Sequence, residues 1–263
     1  MPTIDDIAIC IRHWDYSETS QTVSLFGRSH GVIRGLAKGS KRAKANFSGG
    51  IDLFARGELR AIVKAGTDLA NIIEWTLVDA HWFLRENLAA HRRALYFADL
   101  IHHMVRDHDP HAALFDSLAH ALTTLQDDDS LEAGTAQFLW SLLAETGYRP
   151  QVLRDAATGQ DLSDNGPLAF SPQAGGVVAN SAGLDNWRLR PETLRILQDL
   201  ARSSDGAAVE GKGAEVSNST EGLQSNASRR AAALLSAYIR TILGYEPATL
   251  RWVFPELVES GAR

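Results

Sequence analysis

Through residue 80 the apolar positions come in short, branched or alternating runs separated by turn residues. Ile7–Ile11 reads Ile-Ala-Ile-Cys-Ile, Thr22–Phe26 alternates, and His30-Gly31 turns the chain into Val32–Leu36. A polar, glycine-rich stretch follows, then Ile51–Phe54 with Glu58–Val63, a turn at Gly66, and Leu69–Leu77. Period-two alternation rich in branched and aromatic residues predicts about five strands. From Leu88 the period lengthens. Leu88, Leu95, Ala98, Ile101 and Val105 share one helical face, with His91, Arg92 and Arg93 largely off it. Asp109-Pro110 interrupts that stripe, and Leu114, Leu118, Ala121, Leu122 and Leu125 form a second. A third opens at Ser130 and runs through Phe138, Leu139, Leu142 and Leu143 to Gly147.

These patterns predict an α+β chain with two parts. Residues 1–80 form a small closed barrel; a five-stranded OB-fold fits the spacing, and another small β-barrel would look similar from periodicity alone. Residues 81–263 form an α-helical domain, whose three stripes joined by short polar links imply a bundle. Within it the pattern fails over 150–186, where Gly, Pro, Asp and Asn dominate. Residues 203–228 are Ser, Gly, Ala and Asn with no stripe to bury, and read as a flexible linker. Helical stretches flank it, Pro191–Ala201 and Ser228–Gly244, the latter with Leu234, Leu235, Tyr238, Ile242 and Leu243 recurring.

Composition narrows the function classes. A chain of 263 residues can bury real cores. No apolar run is long enough for a bilayer, and Asp5 and Asp6 precede the first apolar run where a secretion signal would be basic. Cys10 is the only cysteine, which excludes an intramolecular disulfide and a cysteine-based zinc site. A cytoplasmic setting is expected. The net charge of −6 argues against indiscriminate nucleic-acid binding. Yet the charge is uneven. Arg34, Lys38, Lys41, Arg42, Lys44, Arg56, Arg60 and Lys64 face only Asp52 and Glu58 over the same span, whereas acids gather later, as in Asp127-Asp128-Asp129.

Three catalytic motifs fall short. Gly206–Gly213 resembles a phosphate-binding loop but lacks the Ser or Thr after Lys212, and no strand precedes it. His91, His102, His103, His108, His111 and His120 crowd the helical region without the spacing of a helical metal site. No Gly-x-Ser-x-Gly elbow occurs, and Cys10 inside a strand reads as a buried, inert thiol. No enzyme activity is expected. The feature that stands out is Arg34–Gly50, a Gly/Ser loop carrying Lys38, Lys41, Arg42 and Lys44 with Phe47 nearby. Mobile cations adapt to a phosphate backbone, and an adjacent ring stacks on a base. With Arg34, Arg56 and Arg60, these residues are the candidate DNA-binding set. The alternative for the loop is a solvated surface with Phe47 anchored in the core.

The same stretch carries a family resemblance. Arg12-His-Trp-Asp-Tyr16-Ser-Glu-Thr-Ser20, followed by a strand and then Arg28-Ser-His-Gly-Val-Ile-Arg34-Gly-Leu-Ala-Lys38-Gly-Ser-Lys41-Arg42, resembles the N-terminal signature of RecO recombination mediators. Weaker matches are Leu84-Arg85 with Tyr96, Gly147–Pro150, and Phe170-Ser-Pro172 leading to Gly175-Gly176. The resemblance implies an OB-fold, a helical domain, and a segment that in many members is a four-cysteine zinc knuckle. The corresponding positions here are Asp155, Thr158, Ala179 and Ala182, so the zinc site is expected to be lost, leaving an irregular degenerate segment.

It also implies DNA repair and homologous recombination. Such proteins bind single- and double-stranded DNA, anneal complementary strands without ATP, and work with RecR and the tail of SSB to load RecA. They associate with the nucleoid through DNA and not with membranes. The slot for the acidic, apolar SSB tail is expected on the helical domain, where Arg85, Arg92, Arg93 and Arg106 lie beside Leu88 and Leu95. The competing readings are a non-catalytic interaction scaffold with a structural barrel, and a hydrolase using the histidine-rich helices.

Overall fold

In the computed structural model, residues 2–42, 46–47, 49–63, 66–67, 69–162, 166–179, 186–204 and 218–259 are described. The first alternating run extends well beyond its apolar centre: β1 spans Thr3–Asp15. It is followed by β2 (Gln21–Gly27), β3 (Gly31–Ala37), β4 (Arg56–Ile62) and β5 (Ala70–Asp79). The five close into a barrel in the order β1-β2-β3-β5-β4, with β4 returning to β1. Every pairing is antiparallel except β3 with β5. Closure removes the open edges that would invite pairing with other chains.

The barrel interior holds the inward residues of each strand, among them Cys10, Leu25, Ile33, Leu59, Ile72 and Trp75, each 2% exposed or less. Gly57 is required here, because a Cβ would lie 2.6 Å from the Trp75 ring. Ile51–Phe54, expected to be strand, is not: Phe54 has φ 66°, and its N–H donates to the Cys10 carbonyl at 2.8 Å. The segment turns across β1 and puts Ile51 into the core, so its apolar run serves burial and not pairing.

One irregularity decides which side chains face out. The β1–β2 register skips a residue between Cys10 and Arg12. Ala8 and Cys10 point inward, so an unbroken strand would send residues 12 and 14 inward too. The bulge reverses the alternation. Arg12 then stands in an outer row with Ser24 and Arg34, and Trp14 in the next row with Thr22 and Leu36.

Helix α1 (Leu88–Met104) begins at Asn87, whose side chain accepts from the Ala90 N–H, and α2 (Ala112–Thr124) follows. Both belong with the barrel in a compact unit, Met1–Gln126. This unit extends past the barrel strands to take in both helices. The reason is packing: Phe115 of α2 meets Phe26 of β2 at 6.0 Å, and His91 of α1 meets Phe54 at 5.6 Å. Of the expected stripe of α1, Ala98, Ile101 and Val105 are buried and Leu95 is half-buried, and Leu88 is the exception. Leu88 is 63% exposed, while Arg93, Tyr96, Phe97 and Asp99 are buried.

The second unit, Asp127–Arg263, holds α3 (Leu131–Glu145), a three-stranded sheet and four further helices. The strands are β6 (Ala169–Ser171), β7 (Gly176–Val178) and β8 (Trp187–Arg188), in the order β7-β6-β8. The helices are α4 (Pro191–Ser204), α5 (Asn218–Leu243), α6 (Leu250–Val253) and α7 (Pro255–Glu259). The expected linker over 203–228 is corrected at both ends. Residues 203–204 finish α4 and residues 218–228 open α5, with Ala227 and Ser228 buried. The later turns of α5 bury Ala231, Ala232, Leu235 and Ile239, and helix propagates from that anchored half into a stretch with no stripe of its own. The remainder of the linker, with the loop at Gly206–Gly213, lies outside the described residues.

The segment that resembles a zinc knuckle keeps its shape by other means. Asp155 and Ala179 come together as the resemblance implies, but the donors do not fit zinc: one carboxylate, one threonine hydroxyl and an alanine. Ala182 lies outside the described residues. The Asp155 carboxylate instead accepts N–H bonds from Ala157 (2.9 Å), Thr158 (2.8 Å) and Ala179 (2.7 Å). These amides hold its carboxyl below the ordinary carboxylate range. One anion thus staples both loops.

Candidate nucleic-acid interface

The loop after β3 is fixed from beneath by one amide. Gln21, 3% exposed, accepts at Oε1 from Ser40 Oγ (2.9 Å) and from the Ile51 N–H (3.0 Å). Its Nε2 donates to the Ile51 carbonyl at 3.1 Å. A second tie runs to the β1–β2 turn: Gly39 N–H donates to Ser20 Oγ, and Lys41 N–H to the Thr19 carbonyl. The two loops therefore form one rim. On it Lys38 and Arg42 are exposed, and their side chains make no hydrogen bond or ion pair with other described residues. Lys41 is bound to Asp15, which holds that carboxyl below its usual range. Two aromatic residues flank Asp15, and both are open to solvent: Trp14 is 54% exposed and Tyr16 66%.

The structure brings together only part of the expected set. Lys38, Lys41 and Arg42 share the rim, and Lys44 lies outside the described residues. Phe47 is a correction: it is 4% exposed and packs in the barrel core, so its ring has no free face for a base. Arg34 sits in the outer row with Arg12, paired with Asp107 at 3.1 Å. Arg12 pairs with Asp99 at 2.8 Å, and Asp99 also lies 3.3 Å from His103. Burial, with Arg12, His103 and Arg34 nearby, pushes the His102 pKa down. Arg56 is half-buried at the start of β4, opposite Ile9 and Asp79. Arg60 bonds Asp5 (2.7 Å) and Glu74 (3.1 Å) in a cleft of about 430 Å³ also lined by Asp6 and Glu58. That surface is acidic, so Arg60 does not extend the rim.

Part of the basic span seen in the sequence is therefore neutralised in space: Arg34, Lys41 and Arg60 each meet a carboxylate. Its matching acids, Asp5, Asp15, Glu74 and Asp107, lie outside that span of sequence. What remains is a rim with two unmatched cations, one matched lysine and two exposed rings. Sequence reasoning overlooked Trp14 and Tyr16. The available signal was two aromatics within a strand end that runs straight into the polar turn Ser17-Glu18-Thr19-Ser20.

Among the described residues no group of three or more His, Cys, Asp or Glu could hold a metal, and no helix is long and apolar enough to cross a membrane. Cys10 is fully buried, which pushes its thiol pKa far up.

Comparison with known proteins decides the family. A profile described as "Recombination protein O N terminal" matches residues 1–81, and one described as "Recombination protein O C terminal" matches residues 85–219. The chain belongs to the RecO family. It is 27% identical over 245 residues to the DNA repair protein RecO of Anaeromyxobacter dehalogenans (strain 2CP-C), covering 93% of each chain. It is 28% identical over 210 residues to that of Myxococcus xanthus, covering 79% of this chain and 84% of the relative. Against that of Anaeromyxobacter sp. (strain Fw109-5) it is 31% identical over 170 residues, 65% of this chain and 66% of the relative. As a RecO-family protein it is a DNA repair and recombination protein, and its mixed architecture, a five-stranded sheet followed by helices, agrees with the two matched regions.

Proposed function

We propose that this RecO-family protein binds single-stranded DNA on the barrel rim and holds it for annealing to a complementary strand without ATP. The observation that carries the reading is the exposed pair Trp14 and Tyr16 beside Lys38, Lys41 and Arg42 on one rim. The strand order supports an OB-fold, whose β2–β3 face and β1–β2 and β4–β5 loops are the usual oligonucleotide surface. Sequence-independent stacking with phosphate contacts fits a protein that must hold any strand. In this reading the protein acts with RecR to place RecA on SSB-coated DNA, performs no catalysis of its own, and needs no zinc. The SSB tail, acidic and apolar, docks near the start of α1. There Trp82 and Leu88 are exposed, Arg85 lies over the Trp82 ring at 4.2 Å, and Arg92 is open to solvent. Arg93 takes no part, because it is buried and bonds the Ala89 carbonyl.

The test is DNA binding by the full chain across a salt series. Replacing Lys38, Lys41 and Arg42 with Glu should weaken binding and flatten the log–log slope by about 0.7 for each single-strand phosphate no longer neutralised. An unchanged affinity and slope would remove the rim from the account.

A further inference from the structure

Cations are distributed differently in the second unit. Lys38, Lys41, Lys44, Lys64 and Lys212 are the chain's lysines, so every described cation beyond Gln126 is an arginine. Several line one groove of about 680 Å³ beside α4, with Leu153, Leu162 and Leu168 across from it: Arg188, Arg190, Arg195 and Arg202. Asp161 is the one carboxylate among the groove's described lining residues, and it lies 3.7 Å from Arg154. Arg202 reaches Asp199 only at 3.4 Å and stays largely exposed. Arg188, Arg190 and Arg195 are exposed, and their side chains make no hydrogen bond or ion pair with described residues.

Unmatched guanidinium groups in a recess are a net positive field awaiting an anion, and their planar forks suit phosphate oxygens. Their placement selects the kind of anion. Arg195 and Arg202 are seven residues apart on α4, which sets them about 10 Å apart along the helix axis. Arg190 and Arg188 continue the line through the segment that leads into the helix. A single small anion cannot span such a row, whereas a chain of phosphates can. The row also runs into a second pocket of about 380 Å³, which shares Arg188 and Arg190 and is lined by Trp187 and Arg230. Trp187 is half-buried and stacks on Phe170 at 5.6 Å, so a ring lies beside the arginines.

We propose that the arginine groove along α4 is a second nucleic-acid-binding surface, taking the sugar–phosphate backbone of a single strand independently of the barrel rim. It goes beyond the rim reading, since it supplies a place for another strand on the same chain.

The experiment is calorimetric titration of the full chain with a short oligo-dT, with a salt series on each variant. The wild type should take two oligomers per chain. Replacing Arg190, Arg195 and Arg202 together with Glu should leave one, and should lower the weaker site's slope by about 0.7 for each phosphate released. The rim variant of Lys38, Lys41 and Arg42 should also leave one, by loss of the other site, which keeps failure of the two readings apart. Replacing the same three arginines with Lys should keep the second site at reduced affinity. All three groups are exposed, and an unchanged thermal transition checks the fold. One oligomer per wild-type chain, or two on the glutamate variant, overturns the proposal. So does a groove that fills with a glutamate-rich peptide which oligo-dT does not displace.

Discussion

On the barrel unit several cations are matched: Arg12 with Asp99, Arg28 with Asp116, Arg34 with Asp107, Lys41 with Asp15, Arg60 with Asp5 and Glu74, and Arg85 with Asp52. In the α4 groove of the second unit, Arg188, Arg190 and Arg195 have no carboxylate among the described residues. The two regions would meet a phosphate backbone in different ways. At the rim, apart from Lys38 and Arg42, binding is an exchange in which phosphate replaces an aspartate, so the net electrostatic gain is small and exposed rings supply the rest. In the groove Arg188, Arg190 and Arg195 have no described carboxylate to exchange, and the field itself is the attraction. A net charge of −6 does not by itself preclude such a surface, because the field depends on where the charges sit.

The sharpest way to break this comparison is to remove the staple of the second unit. Asp155→Ala leaves the N–H groups of Ala157, Thr158 and Ala179 without their acceptor, and should cost about 2 kcal/mol of that unit's stability. Because those amides lower the Asp155 pKa, its contribution is full above about pH 4 and fades as the pH falls through the lowered value. Urea unfolding of the full chain measures both effects. The groove should lose its oligomer while the rim keeps its own. Wild-type stability in the variant would mean that the loops are held by something else.

A smaller effect sharpens the exchange idea. Asp15→Asn releases Lys41, and Asp107→Asn releases Arg34, without touching either cation. Exposed pairs of this kind are weak, so each change should strengthen single-strand binding only modestly, by up to about fivefold. Binding measured at low salt reads this directly. Weaker binding in either variant would mean that the aspartates position the cations and do not compete for them.

The sequence made the strands legible because alternation and turn residues act locally, and four of the five barrel strands lie at nearly their expected bounds. Ile51–Phe54 failed because a short apolar run can fill a core without pairing. On α1 the stripe holds at Ala98, Ile101 and Val105 and departs at Leu88, while Arg93, Tyr96, Phe97 and Asp99 are buried beside it, so the helix is covered around more of its circumference than one stripe marks. Residues 218–228 looked like linker because their helix is set by neighbours further along α5.

The site was less legible than the fold. Lys38, Lys41 and Arg42 could be picked from a local run of charge. Their cancellation elsewhere could not, since Arg34 meets Asp107 and Arg60 meets Asp5 across long stretches of sequence. Phe47 and Trp14 exchange roles for a similar reason. The bulge at Cys10–Arg12 turns Trp14 outward while the turn before Gly50 drops Phe47 into the core, and neither is written in the identity of the ring.

The central claim is that exposed aromatic residues on the barrel rim receive the bases. Ultraviolet crosslinking of the full chain to a bromouracil-containing single strand, with adducts mapped by mass spectrometry, tests it most directly. Adducts at Trp14 or Tyr16, lost when both are changed to Ala, are the expected result. Wild-type adducts confined to other residues, with binding by the double variant unchanged, would contradict it.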